Sequence, residues 1–199
     1  MKYKLKKISG DASFREFYRL KKNNSSSIIV NAKKDKYKNL IVYTVVNNIL
    51  NSHKINAPKL LSNHIKNNMI EISDLGEKSF YDHVARKKNK LSDYKLLINL
   101  LIKIQKIKTK PQYKLGKNKV KIMKYSLSNL HKESDLFFDW YLKYTMKKKN
   151  VSKIKKTLRA ELNNIYKKLK FKNDTFVHRD FHVSNIMYDK KKLGVIDSQ

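Results

Sequence analysis

The chain has 199 residues, 40% of them hydrophobic, which suits one domain or two small lobes around a buried core. It contains no cysteine, so disulfides and thiolate metal sites are excluded, and no apolar stretch of a signal peptide follows the basic N-terminus. The apolar segments 41–50 and 96–107 are interrupted and too short to span a bilayer, so we expect a soluble cytoplasmic protein.

The formal net charge of +31 raises the question of an anionic partner such as nucleic acid or an acidic membrane. Only five of the 47 basic residues are arginines, although arginine is the residue that nucleic-acid readers favour. The lysines are spread along the whole chain, and the excess of lysine, asparagine and isoleucine is typical of an AT-rich genome. The high lysine content is therefore better explained by compositional drift of the genome than by a dedicated nucleic-acid-binding surface. Under either explanation, the positive charge would attract an anionic nucleotide.

The first part of the chain predicts an antiparallel sheet. Short alternating segments at 3–8, 14–20 and 27–32 are candidate strands. Small and polar residues at 9–13 and 23–26 predict the turns that join them.

A helix and two further strands follow. Apolar residues within 41–50 recur at helical spacing, and 57–61 and 69–72 are predicted strands. The segment Asp74-Leu75-Gly76 then breaks the pattern, and we place a lobe boundary there.

Two lobes are therefore predicted: residues 1–75 as an N-terminal nucleotide-binding lobe and residues 76–199 as a C-terminal catalytic lobe. The second is mainly helical, with Ser92 as the predicted cap of a helix that runs toward residue 107. Further helices are predicted in the aromatic segment 136–144 and over 158–169, where apolar residues fall on one helical face.

One segment carries chemistry. His178-Arg179-Asp180 is followed by Asn185 at the spacing H-R-D-x-x-x-x-N of kinase catalytic loops. An apolar segment, 175–177, leads in, and a predicted hairpin of 186–188 and 193–196 leads out to Asp197. Because a hairpin brings its two ends together, we expect Asn185 and Asp197 to lie close in space.

Phosphoryl transfer needs this set of residues. The reaction concentrates negative charge, and Mg²⁺ accepts one carboxylate and one amide oxygen as protein ligands. A further carboxylate, Asp180, is then suited to orient the acceptor hydroxyl and take its proton. A chance HRD triplet and an ordinary turn residue at Asp197 form the plainer alternative, but the spacing to Asn185 and the second aspartate favour a phosphotransferase.

A zinc site is the competing interpretation. His178 and His182 are four residues apart, as in zinc-binding helices, but their segment lacks a helical pattern and no glutamate follows His178. We therefore interpret both histidines as packing and hydrogen-bonding residues that brace the loop.

The segments 178–187 and 193–199 resemble the aminoglycoside phosphotransferase-like kinases, and within them the bacterial N-acetylmuramate/N-acetylglucosamine anomeric kinases. Residues 9–20 resemble the glycine-loop motif of that branch, 136–142 its aromatic motif, and 69–76 its hinge. The resemblance thus extends along the whole chain in the expected order.

The resemblance implies an α+β, bilobal, protein-kinase-like fold that uses ATP and Mg²⁺ to phosphorylate a sugar hydroxyl, here the anomeric hydroxyl of an N-acetylated amino sugar in cell-wall recycling. It implies Asp180 as catalytic base and Asn185 and Asp197 as metal ligands. The phosphates are expected under a loop made of Ser9, Gly10, Asp11, Ala12 and Ser13. Backbone groups of Glu71 and Ile72 are expected to contact the adenine.

Two features depart from the family pattern. The third strand lacks the usual lysine that holds the α- and β-phosphates, which leaves Arg15, Arg19 and Lys33 as candidates. Ser198 and Gln199 stand where a DFG-like Phe and Gly are usual.

The chain also ends two residues after Asp197, so we expect an incomplete C-terminal lobe of a truncated or split kinase whose own activity is uncertain. A catalytically inactive kinase remnant and a basic nucleic-acid-binding protein are the alternatives. The expected partner is a small sugar rather than nucleic acid or membrane.

Overall fold

The computed structural model describes residues 3–8, 15–23, 25–33, 37–122, 126–146, 148–169 and 175–198. The chain forms two compact units, one of Met1–Ile122 with Phe176–Gln199 and one of Met123–Thr175. The lobe boundary predicted after residue 75 lies inside the first unit and stays a prediction. In the part of the chain that the structure describes, no helix is long and apolar enough to cross a membrane.

Among its described residues, the first unit contains a five-stranded sheet, three α-helices and two small hairpins. Its strands are β1 Tyr3–Ile8, β2 Arg15–Lys22, β3 Ser25–Ala32, β4 Leu60–His64, β5 Met69–Ser73, β6 Tyr113–Leu115, β7 Asn118–Val120, β8 Ile186–Asp189 and β9 Lys192–Val195. Its α-helices are α1 Lys38–Ser52, α2 Phe80–Val84 and α3 Leu91–Gln105, with 3-10 turns at Ile65–Asn67 and Val183–Asn185. The second unit holds α4 Leu127–Leu136, a π-helical turn Phe137–Leu142, α5 Lys143–Thr145 and α6 Lys148–Lys168.

The main sheet has five antiparallel strands in the order β1-β2-β3-β5-β4, which confirms the predicted antiparallel sheet. Its buried face carries Ile28 and Val30 of β3 and Ile70 and Ile72 of β5. Alternate strand residues point to one face, so this alternation in the sequence is what made the strands predictable.

The strand β4 begins later than predicted. Pro58 has no N–H to donate to a strand partner, and the Ala57 N–H donates to the Asn51 side chain at 3.3 Å. The prediction of a strand over 57–61 is therefore displaced to Leu60–His64.

The helix α1 joins the two hydrophobic clusters of the first unit. Leu40 and Tyr43 pack in the cluster under the sheet, whereas Val46 and Leu50 pack in a second cluster with α2, α3 and the β8–β9 hairpin. The helix is buried on several sides, so it fixes the sheet relative to the hairpin that follows the motif 178–185.

The helix α3 corrects one prediction. It begins at Leu91, with Lys90 rather than Ser92 at the N-cap, and the Leu91 N–H donates to the Asn89 Oδ1 at 3.1 Å. Ser92 was the wrong cap because Asn89 already offers a side-chain oxygen to a free N–H of the first turn.

The β8–β9 hairpin that follows the catalytic motif is present as predicted. Lys190 and Lys191 occupy its two-residue turn with φ of +46° and +62°, the left-handed pair that matches strand twist. The hairpin is fastened to the rest of the unit because the Val195 N–H donates to the Asn56 carbonyl at 2.8 Å.

In the second unit, ion pairs connect α6 to the helical segment before it. Arg159 pairs with Asp135, and Lys155 pairs with Asp139 at 2.6 Å. The helices predicted over 136–144 and 158–169 are thereby confirmed, the first as a π-helical turn continued by α5.

Candidate active site

His178 anchors the loop 178–185, which precedes the β8–β9 hairpin. The side chain is buried, and its Nε2 lies 3.0 Å from the Ile196 carbonyl. Burial lowers the pKa of His178 although the Ile196 carbonyl and the carboxylates of Asp197 and Asp180 oppose the shift. A neutral imidazole that donates from Nε2 ties the loop to the chain just before Asp197.

Asp180 and Asn185 form a hydrogen-bonded pair. The Asn185 Nδ2 donates to the Asp180 Oδ2 at 3.0 Å and to the Asp180 carbonyl at 3.1 Å. The His182 Nε2 lies 3.3 Å from the Asp180 Oδ1, while its Nδ1 accepts from the Ser184 N–H at 3.2 Å. Asp180 remains 53% exposed, so its carboxylate is accessible to a substrate.

Asp197 lies beside this pair because of the hairpin. The Ile196 N–H donates to the Asn185 carbonyl at 3.0 Å, which joins the two ends of the hairpin. Asp197 itself has φ of +55°, a conformation that costs free energy for a residue with a Cβ and that surrounding contacts must maintain.

Two of those contacts flank Asp197. Arg15 of β2 forms an ion pair with its carboxylate. On the other side, the Ser198 hydroxyl donates to the Asn47 Oδ1 of α1 at 2.8 Å, and both residues are buried. Asp197 is thereby held by the sheet and by α1.

A cleft of about 850 Å³ contains the three predicted polar residues, since Asp180, Asn185 and Asp197 all line it. Arg15 and the segment 72–76 line the same cleft. The residues predicted from the motif are therefore brought together, whereas their individual chemical roles stay predictions.

The two residues predicted to meet adenine have different positions. Ile72 lines the cleft, but Glu71 is not among its lining residues, and the Glu71 Oε1 accepts the Ser27 hydroxyl at 2.6 Å. Both lie inside β5, which has strands on both sides. Residues 73–76, which follow the strand, line the cleft instead. The adenine contacts stay a prediction, and the predicted phosphate loop of Ser9 to Ser13 lies outside the described residues.

The three candidate cations differ in their surroundings. Arg19 donates from Nε to the Asp74 Oδ2 at 2.6 Å and from Nη2 to the Gly76 carbonyl at 2.7 Å, so it fixes the segment after β5. Lys33 follows β3 and is exposed. Arg15 is the candidate whose guanidinium is buried beside the Asp197 carboxylate.

The Arg19–Asp74 pair yields a test of stability. Burial alone would raise the pKa of the Asp74 carboxyl, but hydrogen bonds from Arg19, Ser26 and the Gly76 N–H hold it below its ordinary value of 3.8. We expect Arg19→Met to lower the free energy of unfolding by about 3 kcal/mol at neutral pH, because it leaves a buried carboxylate unpaired.

The sign of the pH dependence follows from the lowered pKa. Stability from this pair is present above pH 3.8 and is lost as the pH falls through the folded-state pKa. Urea unfolding should therefore show the difference between parent and variant shrinking in acid. The control is Lys21→Met, which removes an exposed ion pair on the same strand and should cost under about 1 kcal/mol. Equal costs for the two variants would contradict the assignment.

The residues at the cleft suit Mg²⁺ better than zinc. Asp197 offers a carboxylate, and Asn185, whose Nδ2 is committed to Asp180, offers its Oδ1. Over the described ranges there is no group of three or more His, Cys, Asp or Glu that could hold a metal ion. The alternative pair, His178 and His182, makes hydrogen bonds to separate partners.

Sequence reasoning missed Asn47 and Tyr43. Asn47 is a polar residue on the apolar face of α1, which is the one signal that marked it in advance. Tyr43 lies under the Arg15 guanidinium, with 4.8 Å between Cζ and the ring centroid. Burial raises the pKa of Tyr43 to about 12, so its ring stays neutral there.

These features are typical of the kinase-like phosphotransferase fold, and comparison with known proteins agrees. The model of the phosphotransferase enzyme family matches residues 4–198, and the chain belongs to that family. Two curated relatives are both named N-acetylmuramate/N-acetylglucosamine kinase. The one from Pseudomonas aeruginosa is 24% identical over 191 residues, which cover 96% of this chain and 53% of the relative. The one from Neisseria meningitidis serogroup B is 22% identical over 192 residues, with 96% and 55% covered.

The chain thus spans about half the length of the curated relatives it matches. Among solved structures, aminoglycoside phosphotransferase APH(4)-Ia superposes with a TM-score of 0.64 at 13% identity, covering 98% of this chain and 65% of that one. The streptomycin–ATP complex of APH(2″)-IIa gives 0.62 at 12% identity, with coverages of 96% and 64%. The resemblance and the kinase-like α+β fold predicted from the sequence are confirmed, and the predicted enzyme class is that of the matched family.

Proposed function

We propose that the protein is an ATP-dependent sugar kinase that transfers the γ-phosphate to the anomeric hydroxyl of an N-acetylated amino sugar. The observation that carries the proposal is the convergence of Asp180, Asn185 and Asp197 on one cleft. The names of the two curated relatives support the amino sugar as acceptor, and the ATP in a structural neighbour's title supports the nucleotide. A cytoplasmic setting and a role in cell-wall recycling belong to the same proposal.

Each polar residue has a task in this reaction. The Asp180 carboxylate accepts a hydrogen bond from the acceptor hydroxyl and orients its oxygen toward the γ-phosphorus. It takes the proton as the new P–O bond forms and the bond from the γ-phosphorus to the bridging oxygen breaks, which releases ADP. The Asn185 amide keeps Asp180 in place through its Nδ2. Asn185 Oδ1 and the Asp197 carboxylate would hold Mg²⁺, which neutralises charge on the phosphates.

The test is an ATP-consumption assay with a panel of acceptors. We expect N-acetylmuramate or N-acetylglucosamine to stimulate ATP turnover at least about tenfold over the acceptor-free rate, and EDTA to abolish it. A reducing-sugar assay reads the position, because phosphorylation at the anomeric hydroxyl removes the reducing end. The matched control is the methyl glycoside of the same sugar, whose anomeric oxygen carries no proton.

The outcomes separate the alternatives. Stimulation of ATP turnover by the methyl glycoside would show that another hydroxyl of the sugar accepts the phosphate, and would reject the anomeric assignment. Binding of ATP without turnover on any acceptor would favour an inactive kinase-like protein. If an aminoglycoside supports turnover and the N-acetylated amino sugars do not, the acceptor is an aminoglycoside and the amino-sugar assignment is rejected.

A further inference from the structure

The third strand of the sheet offers no cation to the cleft. Residues 25–32 form β3 and contain neither lysine nor arginine. The last of them, Ala32, lies directly opposite Arg15 in the β2–β3 register. Opposed residues of an antiparallel pair have neighbouring Cβ atoms on the same face of the sheet. The Arg15 side chain therefore leaves β2 next to the last residue of the third strand.

The charged guanidinium of Arg15 is buried. Arg15 is 8% exposed, and its guanidinium pairs with Asp197 and lies over the Tyr43 ring. Its Cζ is 5.9 Å from the centroid of the Phe17 ring. Both aromatic rings lie within cation–π distance of the guanidinium, a contact that arginine favours.

A buried cation beside a metal-binding carboxylate has more than a packing use. Removing a guanidinium from water is costly, and a hydrophobic side chain of similar size would fill the space without that cost. A guanidinium carries five N–H donors, so it can bind a carboxylate and phosphate oxygens together. Arg15 also lines the cleft, where the phosphates of a nucleotide would be accessible to it.

We propose that Arg15 binds the α- and β-phosphates of the nucleotide and is supplied by the second strand in place of the third-strand lysine of protein kinases. The inference rests on the proposed nucleotide-dependent function. Arg19 is committed to Asp74 and Gly76, and Lys33 does not line the cleft, so neither matches the placement of Arg15. In this role Arg15 is a nucleotide-binding residue that also holds Asp197 in its left-handed conformation.

Calorimetric titration with adenosine and ADP in magnesium-free buffer tests the proposal without relying on turnover. We expect Arg15→Gln to weaken ADP binding by about tenfold or more, since charge-assisted bonds to phosphate are lost. Adenosine binding should stay within about twofold, because adenosine has no phosphate for Arg15 to hold. Arg15→Lys keeps the charge and should give an intermediate ADP affinity.

Lys21→Gln is the matched control for charge. It removes one positive charge from the same strand at an exposed position outside the cleft lining. ADP affinity should be unchanged in this variant at physiological salt, because an exposed charge is screened within about 8 Å.

A second measurement uses the unaltered protein and covers the case in which Arg15→Gln fails to fold. The chain has five arginines, so their side-chain Nε–H signals can be resolved by ¹⁵N NMR and assigned with Arg15→Lys. We expect the Arg15 signal to shift on addition of ADP and to stay in place on addition of adenosine.

The results that overturn the inference are distinct from those that overturn the proposed function. Equal loss of adenosine and ADP affinity, or no loss of either, would leave Arg15 a purely structural residue. An Arg15 signal that does not respond to ADP bound to the parent would do the same. A parent that binds neither adenosine nor ADP would reject the nucleotide-dependent function and the Arg15 role with it.

Discussion

Replacing Asp180 with alanine should lower the turnover number about a thousandfold while ADP affinity stays within about threefold. The variant loses the group that orients the acceptor hydroxyl and accepts its proton. Its described side-chain partners are Asn185 and His182, which lie in the same loop rather than in the strands of the sheet. Nucleotide binding should therefore survive. Stopped-time measurement of phosphorylated sugar, with ADP titration on the same preparation, checks both expectations.

Two further variants sharpen this test. Asp180→Asn preserves the shape of the side chain, yet an amide accepts protons poorly, so its turnover should fall as far as that of the alanine variant. Asp189→Ala is the matched control, because Asp189 is an exposed aspartate at the end of β8, in the hairpin that follows the loop of Asp180, and it does not line the cleft. Turnover within about threefold of the parent is expected for Asp189→Ala. Near-parental turnover of Asp180→Asn would reject the proton-accepting role.

Local sequence patterns predicted most of the first unit. The alternation that placed β2 and β3 arises because one face of the sheet is buried, and residues such as Val30 occupy that face. The hairpin after Asn185 was predictable because apolar strands flank a polar turn. The prediction failed at two boundaries. Pro58 and the hydrogen bond from Ala57 to Asn51 delay the start of β4. The Asn89 side chain accepts a hydrogen bond from the first-turn N–H of α3.

The contacts around Asp197 were beyond sequence reasoning for a physical reason. Arg15 is 182 residues from Asp197 along the chain, and Asn47 is 151 residues from Ser198. No periodicity links residues at such distances, because only the folded sheet and α1 bring them together. The spacing within 178–185 is local, so the motif was predicted, whereas the residues that support it appeared only with the fold.

The ion pair between Arg15 and Asp197 makes Asp197→Ala the second variant with a large expected effect. Loss of this carboxylate should lower turnover about a thousandfold or more, since the site retains one of its two proposed magnesium ligands. It should also leave a buried guanidinium without its counter-ion, at a cost of about 3 kcal/mol in the free energy of unfolding. Magnesium titration of turnover and urea unfolding measure the two effects on one preparation.

A double variant separates the effect of Asp197 on stability from its effect on turnover. In Arg15→Gln/Asp197→Ala both charges are gone, so the loss of unfolding free energy should be smaller than the sum of the two single losses. Turnover should stay as low as in Asp197→Ala, because removal of the Arg15 charge supplies no ligand for Mg²⁺. Asp197→Asn serves as the isosteric comparison, since it keeps an oxygen but removes the charge. Additive stability losses would mean that the pair contributes no coupling, and recovery of turnover in the double variant would show that Asp197 acts through Arg15 rather than through the metal.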